Sequence, residues 1–307
     1  MSLFLPDWAL KFDYFAESPS QAHNPDCKVF WEKCFARPQG IKNRLGLPAN
    51  GGRWAETYAK NRLIEGMPDG EAFHHANASL DEYDPLPWKE KDTELYHLIR
   101  TEEYKDKNGH TATLFKHILE HLYEGLKEAT AGSKTIRDGR RCSVQLEGCE
   151  LDWVGELDVE DGGVVELKTQ WPSIKTKTAT QTGKSWSLSS LPAKPKDDHL
   201  AQLAIYKKWL GDVPVKIIYA NVRGYRIFTS NDCDELQPDR LDQVLEELKE
   251  VALRREDILR EATDHNHLLQ LVPHQIYAHW KWKGDSPEYI EAALAQWEAA
   301  HYHHYHQ

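Results

Sequence analysis

Asp158, Glu166 and Lys168 carry the strongest chemical signal in the 307 residues. Glu166 and Lys168 are two apart in Val-Val-Glu-Leu-Lys-Thr, so on an extended strand they share a face while Leu167 points the other way. Asp161-Gly162-Gly163 is a turn signal, and a hairpin through it brings Asp158 beside Glu166. Two neighbouring carboxylates repel, and one pKa rises unless a cation neutralises them. Hard oxygen ligands with open positions suit Mg²⁺, with the Leu167 backbone carbonyl as a further ligand. Such an ion polarises a phosphodiester and lowers the pKa of an attacking water, which Lys168 would orient or activate. The bland alternative is a solvated hairpin with a cross-strand ion pair contributing ~0–1 kcal/mol.

The elements that must position these groups follow from pattern. Cys142–Glu150, Leu151–Glu160 and Gly163–Thr169 read as three short strands in an antiparallel meander. A polar loop, 171–196, leads to a helix capped at Asp197 or Asp198 and stopped by Gly211. Two more strands flank Gly224, and a long helix starts near Pro238 with Leu241, Val244, Leu245, Leu248 and Ala252 on its buried side. Upstream, the pattern predicts a helix over Asp26–Ala36, one opened by Gly51 and Gly52 and ended at Gly66, and one from Asp69 or Gly70. Another spans Thr111–Ala129, with Leu114, His117, Ile118, His121, Leu122 and Leu126 on one face. The order is helices, meander, helix, strands, helices, which is an α+β or mixed α/β core.

Two further motifs accompany the carboxylates. Gln202 and Tyr206 lie one turn apart on the helix after the loop, and Gly52-Arg-Trp-Ala-Glu56 sits on an upstream helix. With Gly155-Glu-Leu-Asp158 and Glu166-Leu-Lys168 these pieces stand in the order of the PD-(D/E)xK nuclease superfamily, and the chain resembles its RecB-like, lambda-exonuclease-like branch over roughly residues 50–230. The resemblance implies a restriction-endonuclease-like core with a central mixed sheet flanked by helices. It implies an irregular or helical extension at 1–50, a core at 51–235 with a helical insert at about 67–130, and a C-terminal helical extension at 236–307. Asp158 and Glu166 would ligate Mg²⁺, for which Mn²⁺ substitutes, Lys168 would be the catalytic lysine, and Gln202 and Tyr206 would brace the site or touch the DNA backbone. Glu56 would be a further ligand, directly or through water. His117, in Thr-Leu-Phe-Lys-His-Ile-Leu-Glu, resembles the helical histidine of RecB-like nucleases and rivals it. Glu56 is favoured because Gly52 precedes it at the matching spacing.

Some RecB-like nucleases carry an iron–sulfur cluster, but only Cys233 lies beyond Tyr206, so no cluster is expected. The five cysteines form no Cys-x-x-Cys pair and read as reduced, buried thiols. The histidine-rich tail, His301 to His306, and the pair His74–His75 read as surface features. No phosphate-binding Gly-x-x-x-x-Gly-Lys-Ser/Thr loop is present. No apolar run is long enough to span a bilayer, and the N-terminus has no secretory pattern, so the expected location is cytoplasmic, or the host cytoplasm if the chain is viral.

The net charge, −11, excludes a protein that coats nucleic acid by bulk charge. Yet Lys168, Lys175, Lys177, Lys184, Lys194 and Lys196 give +6 with no acid between them, leaving −17 on the remainder. Trp171 and Trp186 interleave with these lysines, and Lys134, Arg137, Arg140 and Arg141 form a second cluster. Lysines answer phosphates and aromatics stack on unpaired bases; Arg223 and Arg226 are weaker phosphate candidates. A solvated loop is the plain alternative. The expected activity is Mg²⁺-dependent DNA hydrolysis, as an exonuclease on linear duplex ends in viral recombination or DNA degradation. A structure- or sequence-specific endonuclease and a non-catalytic DNA-binding or assembly subunit are the rivals. By resemblance, a homo-oligomer and a single-strand annealing or recombination protein are the candidate partners.

Overall fold

A computed structural model describes residues 5–175 and 186–305, with side chains to residue 301. The chain begins with α1 (Asp7–Lys11) and α2 (Asp26–Phe30), which continues as a π-helical segment over Trp31–Ala36. Helices α3 (Leu47–Leu63), α4 (Asp69–Asp81) and α5 (Glu90–Thr101) follow. The hairpin β1 (Glu103–Lys105) and β2 (Thr111–Thr113) leads into α6 (Leu114–Ala129). Then come β3 (Arg137–Asp138), β4 (Arg141–Gln145), β5 (Asp152–Glu156), β6 (Val159–Glu160), β7 (Val164–Thr169), β8 (Ser173–Ile174) and β9 (Trp186–Ser187). The chain ends with α7 (Asp197–Leu210), β10 (Val215–Asn221), β11 (Gly224–Thr229), α8 (Pro238–Glu261), α9 (His265–Leu271) and α10 (Pro287–Tyr305).

The fold is mixed α/β. Its central sheet has the order β11-β10-β7-β6-β3, in which β10 runs parallel to β7 and the other pairs are antiparallel. Helix α7 makes the crossover that a parallel pair requires. Alternation along β7 then divides the molecule. Val165 and Leu167 face α3 and α6, together with Ile218 and Ala220 of β10. Val164 packs on the other side with Ile217, Tyr219 and the buried face of α7. Glu166 and Lys168 share that second side by their period of two.

The meander differs from expectation in one respect. Strands β4 and β5 form a separate two-stranded sheet, which Glu17 joins through a parallel bridge to Trp153, and the chain breaks at Leu157 before β6 joins the central sheet. The break lets Asp158 leave the pleat at the sheet's short edge. Helix α3 also begins earlier than Gly51, at Leu47. Pro48 suits its first turn, where an amide hydrogen has no intrahelical acceptor. The buried carboxylate of Asp92 on α5 accepts from Leu47 N at 2.8 Å and so caps the helix from a distant element. Part of the expected loop at 171–196 is a small hairpin, with Ile174 opposite Trp186. The predicted face of α6 is fully buried, and Thr113 caps that helix through Lys116 N.

The two chain ends share one apolar cluster, in which Trp31 and Phe35 meet Trp282, Tyr289 and Trp297. Beside it Arg255, with no exposed side-chain surface, binds Glu17 Oε2 at 2.9 Å and Asp26 Oδ1 at 2.8 Å. All five cysteines are buried and unpaired. Among the described residues no helix is long and apolar enough to cross a membrane.

Candidate active site

Asp158, Glu166 and Lys168 meet on the α7 side of the sheet. The Lys168 ammonium donates to Glu166 Oε1, and the Leu167 amide donates to Asp158 Oδ2 at 2.7 Å. That amide bond crosses the hairpin and fixes Asp158 beside β7. Glu166 is 1% exposed, and its Oε2 is buried without a partner. Burial, and then the Glu166 charge, push Asp158 well above the usual carboxylate range. Burial also raises Glu166, which Lys168 partly offsets. Burial opposes the charge on Lys168, yet Glu166 and Asp158 hold its pKa above that of a free lysine. The three groups form one electrostatic unit short of a cation.

Glu56 on α3 adds a third negative charge, whose field raises both Asp158 and Glu166. Its carboxylate is bound by Lys60 one turn later, and Lys60 reaches Asp138 of β3 at 2.9 Å. His117 stands elsewhere. It lies on α6, on the face opposite Glu166 and Lys168, and its Nε2 meets the Tyr104 carbonyl at 2.7 Å. The structure therefore brings Glu56 to the carboxylate pair and leaves His117 across the sheet.

Gln202 and Tyr206 lie on α7 behind β5. The Tyr206 hydroxyl donates to the Glu156 carbonyl at 2.7 Å, and Gln202 Nε2 lies 3.5 Å from it. Burial raises the Tyr206 pKa, with Glu166 and Asp158 adding to the effect, so the phenol stays a donor. Asp158 is thus held from two directions: by the Leu167 amide ahead, and by Tyr206 through the strand that delivers it. Sequence reasoning missed Lys60, Asp138 and His199. His199 Nδ1 meets the Tyr219 hydroxyl at 2.7 Å, and that hydroxyl also accepts from Lys196 N at 3.1 Å. A polar residue in the first turn of the Gln202 helix was the available signal.

The lysine-rich segment is placed in part. Lys177 and Lys184 lie outside the described residues. Lys175 is exposed, and Lys194 is an exposed side chain 3.5 Å from Glu235. Lys196 reaches Gln170 Oε1 at 3.2 Å, which keeps it at the end of β7. Trp186 is half-buried in β9. Trp171 is not a platform for bases: it is 7% exposed, stacks on Phe115 and packs against Gly51. Arg140 is bound to Glu160 at 2.6 Å and lies over Trp209. Arg223 is exposed and lines a cleft of about 710 Å³ with Lys107, His121 and Arg226, at the C-terminal end of β10.

An orphaned, buried carboxylate oxygen costs about 1–3 kcal/mol when nothing fills its lone pair. A divalent cation at Asp158 and Glu166 would remove that cost and the mutual repulsion. Hard oxygens as the donor set fit Mg²⁺ or Mn²⁺ better than a thiophilic ion.

No protein-family model and no curated protein matches this chain. Among solved structures it is similar to one from Eubacterium rectale whose assignment as an exonuclease is provisional, at 14% identity and a TM-score of 0.42, over 84% of this chain and 86% of that one.

Proposed function

We propose that the chain is a divalent-metal-dependent nuclease of the PD-(D/E)xK type, acting as an exonuclease on linear double-stranded DNA. The observation that carries this reading is the buried Asp158–Glu166 pair sharing Lys168, with Glu56 beside it and one Glu166 oxygen unpartnered. A structural ion pair does not need two carboxylates and a third acid around one lysine.

Asp158, Glu166 and the Leu167 carbonyl would hold the ion, with Glu56 joining directly or through water. When bound, the ion supplies a polarised phosphodiester and a water of lowered pKa. The chain's own groups do the rest. Lys168, kept protonated by its neighbours, holds a water or a phosphate oxygen by donating to it. Tyr206 and Gln202 keep the strand carrying Asp158 in place. Lys175, Lys177, Lys184, Lys194, Lys196 and Arg223 answer the backbone phosphates, with Trp186 stacking, so an acidic body draws DNA only toward one groove. In this reading residues 51–235 form the nuclease core, and 1–50 and 236–307 are additions that brace it. A viral or prophage role in recombination or DNA degradation belongs to the same proposal.

The test is digestion of end-labelled linear duplex beside a closed circle, with and without Mg²⁺. Linear DNA should be degraded only with the metal, and Asp158→Asn and Lys168→Met should each reduce the rate by at least about 10³-fold, the scale of losing a group that acts only on the transition state. Full activity in both variants sinks the proposal, and cleavage of the circle turns it toward an endonuclease.

A further inference from the structure

We infer that Asp106, His110 and His117 form a second metal centre, selective for a borderline transition-metal ion such as Zn²⁺, which staples the β1–β2 hairpin to α6. The inference does not depend on the nuclease reading. The three residues offer ligand atoms that all lie within 4.8 Å of one another. They come from two elements: Asp106 and His110 from the hairpin connection, His117 from the first turn of α6.

The independent observation is the state of His117. It is 1% exposed, and its Nδ1 is buried with no hydrogen-bond partner. Its Nε2 meets the Tyr104 carbonyl at 2.7 Å. A carbonyl only accepts, so Nε2 carries the proton and Nδ1 keeps its lone pair. A histidine oriented through one nitrogen by a backbone carbonyl, with the other nitrogen bare, is the arrangement in which a metal-binding imidazole is held. Without a ligand the bare nitrogen is a buried acceptor left unmet.

The other two residues are arranged to complement it. Asp106 spends one oxygen, Oδ1, on the amides of Asn108 and His110, at 2.9 and 2.8 Å. These bonds curl the connection so that His110 returns over His117, with ring centroids 5.4 Å apart. Asp106 Oδ2 has no partner among the described residues. His110 Nδ1 lies 3.6 Å from Glu120 Oε2, which leaves Nε2 for the ion. Two imidazoles and one carboxylate are a borderline donor set, which suits Zn²⁺ and its neighbours, whereas Mg²⁺ prefers oxygen alone. His110 is exposed, so a water can complete the shell. Gly109, at φ 87°, supplies the left-handed backbone that this tight connection uses.

The full-length chain, stripped by chelator, is titrated with Zn²⁺ by calorimetry and with Co²⁺ by visible absorption. His110→Ala and Asp106→Asn change exposed or half-exposed positions and should fold as the parent does, which circular dichroism checks. Asp158, Glu166 and the tail histidines are the same in all three proteins, so the difference between them isolates this centre. The parent should bind one more equivalent of Zn²⁺ than His110→Ala, or bind that equivalent at least tenfold more tightly, and Asp106→Asn should weaken it likewise. The Co²⁺ bands should fade in His110→Ala, and Zn²⁺ should raise the parent's Tm more than the variant's. Equal stoichiometry and affinity in the parent and both variants, or Co²⁺ bands unchanged in His110→Ala, would overturn the assignment.

Discussion

The ring of Tyr206 fills the space into which a side chain at Gly155 would grow: a Cβ there would stand 2.8 Å from Tyr206 Cε1 and 3.2 Å from its hydroxyl. The two residues belong to separate sequence motifs, and their contact seats α7 on β5. Gly155→Ala must push the ring away, at about 1–3 kcal/mol, the usual cost of overpacking. Tyr206→Ala removes the obstacle. The substitutions should therefore be strongly non-additive, with Gly155→Ala costing little once Tyr206 is alanine. Urea denaturation of the four proteins measures this, and additive costs would mean that the contact has no energetic weight.

His199 should make the fold acid-sensitive. Its burial, with the charges of Lys168 and Lys196 nearby, lowers its pKa from 6.5 to about 3. The unfolded chain therefore binds a proton that the folded chain refuses between those values. The contribution to stability is complete above about pH 6.5 and is lost as pH falls toward 3. His199→Gln has nothing to titrate, so its Tm should fall less steeply than the parent's over that window. Parallel slopes would assign the acid sensitivity to other groups.

Arg255 is a buried cation held by Glu17 and Asp26. Glu17→Gln leaves that charge short of a partner, and breaking a buried pair from one side costs about 3–5 kcal/mol. Thermal unfolding should show a Tm lower by several degrees. Arg254→Ala, whose partner Asp26 is shared but whose side chain is mostly exposed, should cost far less.

Gly51 permits Trp171 to lie against α3, since a Cβ at that position would be 2.4 Å from the indole. Gly51→Val should destabilise by about 1–3 kcal/mol through the forced shift of a packed aromatic. Trp171 fluorescence, read in a background where Trp171→Phe identifies its share, should shift to the red as the ring becomes wetter. An unchanged spectrum would show that the helix moves instead of the ring.

How legible these features were depended on how local their causes are. The alternation in Val164–Thr169, the turn at Asp161–Gly163 and the stop at Gly211 depend on near neighbours, and the strands and helix stand where the pattern puts them. The pairing of Asp158 with β7 follows from the same hairpin. The start of α3 was hidden because its cap, Asp92, lies 45 residues downstream. Helix α5 was hidden because its buried side is Asp92, Leu95 and Ile99, too few apolar positions to show a period. Trp171 looked like a surface aromatic among lysines, and its contacts with Gly51 and Phe115 show it to be core. Composition shows which residues could meet DNA, but not which are already bound to an acid, as Arg140 is to Glu160.

The apolar cluster shared by the two chain ends also sets an order of events during synthesis. Trp31 and Phe35 leave the ribosome well before Trp282, Tyr289 and Trp297 are made. Until then the first aromatics have no permanent cover, and Glu17, though Tyr14 and Lys33 reach it, still lacks Arg255. Pairings so distant in sequence form slowly, and the waiting surface is open to association with other chains. The nascent protein therefore carries a sticky segment from the synthesis of Trp31 until that of Trp297, and a chain stopped short of α10 would keep that surface for good.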